Sequence, residues 1–384
     1  MADPCPGQSG LCAPVLSGIR VVEFCGIGPV PHAAMLLGDM GAEIVRIDRP
    51  EPAQHTDPVT NRGRTSLPLD LKSQQGRDSA AAAIACADIV IEGFRPGVME
   101  RLGLGPEPML ARNARLIYGR MTGWGQDGPL APRVGHDINY IAITGALDEI
   151  GMADRPPLPP LNLVGDFGGG SLYLVIGILL ALVERGSSGK GQVVDAAIVD
   201  GTASLLAGLA GMRELIGAGR GRNSLGGASP SYRTYRCADG GHIAVGALEE
   251  VFWNRLADAL GLSAQERRRD GADAAALHHR LEQVFSQATA EQWIDRLGSL
   301  DCCVTPVLSL EQAALHPHLV ARGTYVERAG RHHPAPAPRL SRTPGAIGRP
   351  APEWGEGGAE MLERWHAAVG RPAEPLEPGM RCHD

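Results

Sequence analysis

Three side chains have the residue types and settings expected of groups that move protons. His136 stands between Gly135 and Asp137, with polar neighbours on both sides and a glycine-rich stretch before it. Asp166 precedes three consecutive glycines, and Glu249 follows a predicted strand. Each also has an ordinary explanation: a structural or solvated histidine, an aspartate that caps a helix, and a solvated glutamate. The residue types alone therefore nominate the three as candidate acids and bases.

The glycine run Gly168-Gly169-Gly170 strengthens the case for Asp166. Glycines at the start of a helix cost stability, so their presence favours a close approach of something to the backbone. An aspartate beside such a bare helix end could face a ligand. The sequence therefore predicts a ligand near Asp166, and the helix-capping explanation stays open.

Arginines recur at the ends of predicted strands and in the adjoining loops. They are Arg46, Arg49, Arg62, Arg64, Arg95 and Arg101. Scattered arginines are usually surface charges, but a cluster at one edge of a sheet is what a polyphosphate ligand requires. Only two lysines, Lys72 and Lys190, occur among the 36 Lys and Arg residues. A specific role for each lysine and chance survival on the surface both stay open.

The run Gly26-Ile27-Gly28-Pro29-Val30-Pro31 superficially matches a dinucleotide-binding fingerprint, with Asp48 at the end of the next predicted strand. The sixth position should be glycine or alanine, and here it is Pro31. The fingerprint therefore fails, and a nicotinamide-dependent enzyme is disfavoured. The turn still presents backbone groups at a helix N-terminus, which suits a phosphate or an oxyanion.

The pattern of apolar residues predicts an α/β fold. Strands and helices alternate through the first half of the chain, and a right-handed βαβ crossover makes the sheet parallel. The predicted strands are 19–24, 43–48, 88–92, 114–120, 192–197, 232–235 and 242–245, and the predicted helices are 32–40, 79–87, 166–184, 203–217, 251–260, 274–287 and 290–297. After Tyr325 the chain becomes proline-rich, which predicts an extended segment that wraps a surface.

Composition excludes several classes of protein. The formal net charge of -7 over 384 residues argues against broad nucleic-acid binding, which needs a basic face. The eight cysteines form no CxxC pair, so we expect reduced thiols of a cytoplasmic protein without a metal site. The longest apolar stretch, residues 172–183, is shorter than the roughly 20 residues of a membrane span, so we expect a buried helix and no span.

Eight stretches together resemble one known family. They are residues 16–23, 45–50, 69–72, 94–103, 135–140, 159–163 with Asp166, 189–193 and 304–308. Through them the chain resembles the α-methylacyl-CoA racemases, a branch of the family III coenzyme A transferase superfamily. The resemblance implies a Rossmann-like parallel-sheet large domain, a smaller α+β domain and an interlocked homodimer. The expected boundaries are 1–15 for a flexible tail, 16–215 and 329–384 for the large domain, and 216–328 for the small domain.

The resemblance also implies a reaction. His136 and Asp166 would be the two catalytic bases, with Glu249 paired to His136, that interconvert (R)- and (S)-2-methylacyl-CoA thioesters. Removing a thioester α-proton needs a positioned base and a stabilised enolate oxygen, and inversion needs a protonated group on the opposite face. No metal or redox cofactor is needed, and coenzyme A is part of the substrate. The residues implied in holding it are Arg49, Leu69, Asp70, Leu71, Lys72, Gly93, Phe94, Arg95, Arg101, Gly135, Asp137, Ile138, Asn139 and Tyr140.

Two departures from the family leave the acyl pocket open. Val30 stands where the racemases have glycine, and Leu225, Ser229 and Ser231 interrupt a run that in the family reads Asp-Gly-Gly-Ala-Pro followed by an aromatic residue. One alternative is a coenzyme A transferase on the same fold, with Asp166 as the nucleophile. A second is a non-catalytic acyl-CoA-binding protein. The setting of His136 favours the racemase branch, and trapping of Asp166 by hydroxylamine would favour the transferase.

Overall fold

One six-stranded sheet carries the strands of the first half of the chain. The computed structural model describes residues 13–54, 57–269 and 273–369. The strands are β1 (Arg20–Phe24), β2 (Glu43–Asp48), β3 (Arg64–Pro68), β4 (Ile89–Glu92), β5 (Ile117–Thr122) and β6 (Val193–Ala197). Their order is β3-β2-β1-β4-β5-β6, and every neighbouring pair is parallel. This is the strand order of a Rossmann fold, so the predicted fold class is confirmed.

Strand β3 was missed in the sequence because its residues are polar. Each of the polar side chains is nevertheless buried against a partner. Arg64 pairs with Glu23, Thr65 Oγ1 donates to the carbonyl of Ile44 at 3.1 Å, and Ser66 Oγ donates to Asp48 Oδ2 at 2.5 Å. Polar residues can occupy a buried edge strand when their hydrogen bonds are satisfied within the protein.

Helices cover both faces of the sheet. They are α1 (Pro29–Asp39), α2 (Gln74–Ala85), α3 (Val98–Arg101), α4 (Pro106–Arg112), α5 (Asp137–Ile143), a π-helix (Leu163–Ser171) that leads into α6 (Leu172–Ser188), and α7 (Ile198–Leu205). Side chains of α1, α6 and α7 form one apolar cluster with the sheet. Side chains of α2, α3 and α4 form the other. The carboxyl ends of the strands are left free to carry the loops of a site.

The C-terminal segment returns to the outer edge of the sheet. The backbone N–H of Gly63 donates to Arg349 O at 2.9 Å, and that of Ser66 donates to Glu356 O at 2.9 Å. The chain then forms α14 (Gly358–Val369), whose Trp365 packs under β2 and donates to Glu43 Oε2 at 2.6 Å. The extended path was predicted, but the final helix was missed because the prolines before it suggested no regular structure.

The described residues divide into two compact units. The first comprises the chain up to Ile141, Leu161–Leu205 and the chain from Val326, and the second comprises Ala142–Pro160 and Leu206–Tyr325. The boundary after α7 thus lies ten residues earlier than the predicted one. The segment Ala142–Pro160 joins the second unit because Arg220 holds it, with hydrogen bonds to the carbonyl of Met152 at 3.1 Å and to Asp148 Oδ1 at 2.6 Å. Most of the predicted tail, residues 1–12, lies outside the described residues.

The second unit combines a small antiparallel sheet with helices. The sheet is β7 (Tyr232–Arg236), β8 (His242–Gly246) and β9 (Val304–Val307), and the helices are α8 (Ala207–Ile216), α9 (Glu250–Ala259), α10 (Asp273–Phe285), α11 (Ala290–Leu297), α12 (Leu310–Leu315) and α13 (Pro317–Ala321). Strands β10 (Tyr325–Arg328) and β11 (Arg331–Pro334) form a two-stranded sheet that, apart from Tyr325, belongs to the first unit. The α+β character expected of a second, smaller part is thus present.

Helix α6 has one buried face and one open face. Leu174, Ile178 and Ala181 are buried against the sheet. The opposite face carries exposed apolar side chains: Leu172, Ile176, Leu179, Leu180 and Val183. The expectation of a buried helix is therefore wrong for half of its surface. By length and composition alone the stretch Leu163–Ser188 could cross a membrane, and one such helix is weak support for a span.

Candidate active site

A cavity of about 630 Å³ opens at the carboxyl edge of the parallel sheet. Its walls come from the loops after β1 (Ile27–Val30), β4 (Gly93–Pro96) and β5 (Met121–Trp124), together with Ala131–His136 and the start of the π-helix. Strands β1 and β4 are neighbours whose connections leave in opposite directions, so their loops diverge and leave a crevice between them. This is the position at which α/β sheets of this order bind ligands.

Asp166 and His136 line the same cavity. Asp166 lies in the first turn of the π-helix and caps nothing, since the residue at the N-cap position is Asn162. Its Oδ2 accepts a hydrogen bond from Asn162 Nδ2 at 3.3 Å. The same oxygen lies so close to Gly28 that a Cβ there would be 2.8 Å away. The helix-capping explanation of Asp166 is therefore wrong, and a pyrophosphate on the Gly28 turn would meet this carboxylate.

His136 stands at the entrance of α5 and is exposed. Its backbone N–H donates to Asn139 Oδ1 at 3.0 Å, and the backbone N–H of Asn139 donates back to the carbonyl of His136 at 2.8 Å. Tyr140 donates to Gly135 O at 2.5 Å and packs edge-on against Trp124, with ring centroids 4.6 Å apart. These contacts fix the backbone of His136 while its imidazole faces the cavity.

The surroundings of Asp166 favour its neutral form more than water does. Burial raises the pKa of Asp166, and the negative charge of Asp137 raises it further. The hydrogen bond from Asn162 and the charge of His136 act in the opposite direction without cancelling the rise. A raised pKa makes the carboxylate a stronger base than it is in water, which suits a group that takes part in acid–base catalysis.

The glycine run has a cause other than a ligand. A Cβ on Gly169 would lie 2.7 Å from the backbone nitrogen of Thr202, and a Cβ on Gly170 would lie 3.1 Å from Ile198 Cγ1. The glycines therefore let α7 pack directly on the π-helix. The prediction that these glycines mark a ligand close to the backbone is therefore wrong, although Asp166 does line a cavity.

Of the six arginines expected to bind polyphosphate, three are neutralised inside the protein. Arg46 forms a bidentate salt bridge with Asp48, with N–O distances of 2.9 and 3.0 Å. Arg62 forms a salt bridge with Asp39 at 2.6 Å. Arg64 is fully buried against Glu23. Arg49, Arg95 and Arg101 are exposed, and no salt bridge to the described residues involves them. The expected cluster is thus wrong for the three paired arginines.

The residues that the resemblance assigns to coenzyme A fall into two sets. Gly93, Phe94, Arg95, Gly135 and Tyr140 line the cavity. The others lie outside its lining: Arg49 after β2, the turn Leu69, Asp70, Leu71 and Lys72 after β3, Arg101 at the end of α3, and Asp137, Ile138 and Asn139 in α5. Arg49 and the Leu69–Lys72 turn share the carboxyl edge of the sheet with the cavity, so a long ligand would run along this edge.

Some of these side chains are occupied by the protein itself. Asp70 Oδ1 accepts from the backbone N–H of Lys72 at 3.0 Å, and Leu69 and Leu71 pack against the core. Lys72 is exposed. Within this turn, only the Lys72 side chain is left with a charge free for a ligand.

Four predicted or questioned residues lie in the second unit. Glu249 is exposed and precedes α9, and its pairing with His136 remains a prediction. Leu225 is exposed in a short 3-10 turn, and the Ser229 and Ser231 hydroxyls lie 2.9 Å apart. None of these four residues is among those that line the cavity.

Several cavity residues were missed in the sequence. Met121, Thr122, Trp124, Arg133 and Ile198 line the cavity without belonging to a recognisable motif, and Asn162 lines it from the stretch 159–163 that carries the family resemblance. Trp124 Nε1 is buried without a hydrogen-bond partner among the described residues. The glycines around Trp124 were the one available signal. Val30, singled out as a departure, is buried in the cavity wall, where its Cγ2 would lie 2.8 Å from a Cβ on Gly93.

A buried carboxyl group beneath the site was also missed. Glu92 ends β4 and accepts from the backbone N–H of Phe94 at 2.8 Å and from Arg120 Nε at 2.9 Å. Burial raises the pKa of Glu92 to about 7, although these two hydrogen bonds act against the rise. Glu92 therefore shapes the Gly93–Arg95 loop from below. Among the described residues no three His, Cys, Asp or Glu side chains are grouped so as to hold a metal ion.

Comparison with known proteins identifies the family. Residues 16–357 match the model of CoA-transferase family III. The chain belongs to this family. The α-methylacyl-CoA racemase of Mus musculus is 43% identical over 357 residues, which cover 91% of this chain and 93% of that protein. The succinate–glutarate CoA-transferase of Agrobacterium fabrum is 32% identical over 387 residues, covering 91% and 95%.

Solved structures of the family agree with the fold. A CAIB/BAIF family protein from Brucella suis superposes with a TM-score of 0.81 at 26% identity, covering 92% of this chain and all of that one. The resemblance to CoA-transferase family III that the sequence motifs indicated is therefore confirmed.

Proposed function

We propose that the protein is a racemase of 2-methylacyl-CoA thioesters that works by transfer of the α-proton between two bases. The observation that carries the proposal is that His136 and Asp166 line one cavity of a fold whose similar proteins include a racemase. One base removes the α-proton from one face of the thioester. The other, already protonated, returns a proton to the opposite face of the enolate, and the two exchange roles in the reverse direction.

The geometry supports this division of work. Asp166 has a raised pKa because it is half-buried and lies near Asp137, so its carboxylate accepts a proton more readily than that of a solvated aspartate. The N-terminus of α1, which follows Gly28, also lies in the cavity wall. The positive end of a helix dipole favours the negative charge that develops on the enolate oxygen. Arg49, Arg95, Arg101 and Lys72 supply free positive charge along the same edge for the phosphates of coenzyme A.

A coenzyme A transferase is the second candidate, since the Agrobacterium fabrum relative bears that name. There Asp166 would attack the thioester carbonyl, form an anhydride and expel the coenzyme A thiolate. Hydroxylamine would then trap Asp166 in an acyl-CoA-dependent manner. The position of His136 in the same cavity favours the racemase, because the nucleophilic route gives this imidazole no proton to move.

The test follows α-deuterium incorporation into each pure enantiomer in deuterium oxide, separately from optical inversion. His136→Ala and Asp166→Ala should each slow inversion roughly 100- to 10,000-fold. Each variant should still exchange the α-hydrogen of one enantiomer with retention, and the two variants should favour opposite enantiomers. Asp127→Ala, an exposed aspartate of a neighbouring loop, is the matched control and should leave both rates unchanged. Equal loss of exchange with both enantiomers in both variants would contradict the two-base assignment.

A homodimer and a cytoplasmic location are part of the same proposal. The open apolar face of α6 needs a cover, and a second copy of the chain would bury it. Sedimentation at micromolar concentration should give a dimer, and Leu180→Glu should shift it towards monomer. Ser187→Glu, which adds the same charge at an exposed polar position of α6, should not. A compact active monomer, or sedimentation of the wild-type chain with lipid vesicles, would contradict this part of the proposal.

A further inference from the structure

The carboxylate of Asp137 is buried beside Asp166, and the mechanism above uses only its charge. It follows His136 directly in the chain and begins α5. Its residue is only 8% exposed, so the side chain does not reach into solvent to meet a ligand. The coenzyme A contact that the resemblance implies for Asp137 therefore does not involve its carboxylate in the geometry seen here.

The partner of this carboxylate is the backbone of Asp166. Asp137 Oδ2 accepts a hydrogen bond from the N–H of Asp166 at 2.7 Å. The N–H groups in the first turn of a helix have no acceptor within the helix, and the first π-type bond here runs from Phe167 N–H to Asn162 O at 3.2 Å. Asp137 thus satisfies a donor that the π-helix itself leaves open.

The local sequence is adapted to this contact. Gly165 precedes Asp166, and a Cβ at Gly165 would collide with Asp137 Oδ2 and lie 2.9 Å from Ile141 Cγ2. Any other residue would push the two segments apart. The second oxygen, Asp137 Oδ1, is buried without a hydrogen-bond partner among the described residues.

Building on the proposed function, we infer that Asp137 is a positioning residue that locks Asp166 to the segment bearing His136 and presents a fixed negative charge to the Asp166 carboxyl group. One hydrogen bond joins positions 29 residues apart in sequence. His136 directly precedes Asp137, and Asp166 carries the donating N–H. This hydrogen bond, rather than the longer path through the chain, therefore sets the distance between the two bases.

Among the described groups that act on the Asp166 carboxyl group, Asp137 is the negatively charged one. From α5 and the loop before it, His136, Asp137 and Tyr140 interact with Asp166. From α1, His32 stacks on Phe167 and lies 2.6 Å from Ser171 Oγ. From α7, the side chains against the glycines of the π-helix are Ile198, Thr202 and Leu205, which carry no charge. Removing the Asp137 charge should therefore lower the pKa of Asp166.

The first test needs no substrate. The carboxyl carbon of Asp166 is followed by ¹³C NMR during a pH titration of the full chain, with Asp166→Asn to assign the signal. Asp137→Asn keeps an acceptor for the N–H and removes the charge, so it should move the Asp166 titration to lower pH. Asp127→Asn removes the same charge from a nearby exposed loop and should leave it in place. An unmoved Asp166 titration in Asp137→Asn would overturn the inference.

The second test separates positioning from binding. Asp137→Ala should lower kcat for inversion roughly 100-fold, as expected when a catalytic group loses its placement, with KM for acyl-CoA within about twofold of wild type. Asp137→Asn should recover most of this loss, and the acidic limb of its kcat/KM profile should lie at lower pH. A raised KM with wild-type kcat in both variants would make Asp137 a substrate contact and overturn the inference. Absence of inversion in the wild-type protein would instead refute the proposed function, and the NMR titration would still decide the role of Asp137.

Discussion

The arginines in the strands of the parallel sheet and in the adjoining loops form two groups with opposite surroundings. Arg46, Arg62 and Arg64 are buried and held by Asp48, Asp39 and Glu23. Arg49, Arg95 and Arg101 are exposed, and no described carboxylate forms a salt bridge with them. The residue type is the same, and the two groups are interleaved along the sequence.

What differs between the groups is their place relative to the strands. Arg46 and Arg64 lie within β2 and β3, and Arg62 lies just before β3, so packing of the sheet buries them and they need a partner from within the chain. Arg49 follows β2, Arg95 follows β4, and Arg101 ends α3. An arginine that follows a strand lies outside the core. Its charge therefore faces solvent or a ligand. A shift of a few residues therefore changes an arginine from a part of the fold to a part of the site.

The largest effect should come from breaking a buried pair. Arg64→Met leaves Glu23 buried and unpaired, which should lower the free energy of unfolding by about 3–5 kcal/mol. Urea denaturation of the variant measures the loss. The double variant Glu23→Leu with Arg64→Met should recover much of it, because it removes both charges together. If Arg64→Met were as stable as wild type, the buried arginines would contribute no more to the free energy of unfolding than the exposed ones.

A smaller effect, on binding alone, should follow from the open arginines. Arg49→Ala and Arg101→Ala should each remove a charge-assisted phosphate contact worth about 1.5–3 kcal/mol, which raises KM for acyl-CoA roughly 10- to 150-fold. Stability should stay within about 0.5 kcal/mol of wild type. Arg115→Ala is the control, since Arg115 is exposed before β5, at the amino edge of the sheet. An unchanged KM in both site variants would remove these arginines from the coenzyme A site.

The smallest effect separates the two lysines. Lys72 is exposed after β3 at the carboxyl edge, and Lys190 is exposed before β6 at the amino edge. A solvated lysine contributes about 0–1 kcal/mol, so Lys72→Ala should raise KM by less than about fivefold and Lys190→Ala should not change it. The Lys72 effect should vanish at high salt, where exposed charges are screened. A larger effect at Lys190 would contradict the assignment of the carboxyl edge to coenzyme A.

Much of the fold was readable from the sequence where burial and hydrophobicity agree. The runs around Val21 and Ile44 are apolar and buried, and both were predicted as strands. Strand β3 was missed because its core-facing residues are polar and paired through contacts distant in sequence, such as Arg64 with Glu23. Helix α14 was missed because proline content does not reveal where a segment regains regular structure.

The sequence predicted which residues form the candidate site better than it predicted the contacts around them. His136 and Asp166 were nominated and lie in one cavity. The π-helix was not predictable, because its broader turn depends on α7 packing against Gly169 and on Asp137 accepting from Asp166. Pairing of a carboxylate with a backbone N–H across 29 residues leaves no local pattern.

The last part of the chain closes the outer edge of the sheet, since Ser66 of β3 bridges to Gly357 and accepts no further strand. On the ribosome this edge is synthesised early and covered last, because nearly 300 residues separate Ser66 from Gly357. Throughout translation β3 presents unpaired backbone groups, the kind of surface that pairs with other chains. A chain truncated after β11 would therefore keep the strands of the site but leave the β3 edge exposed to pairing with other chains. The segment 349–357 therefore protects the β3 edge only after it has itself been synthesised.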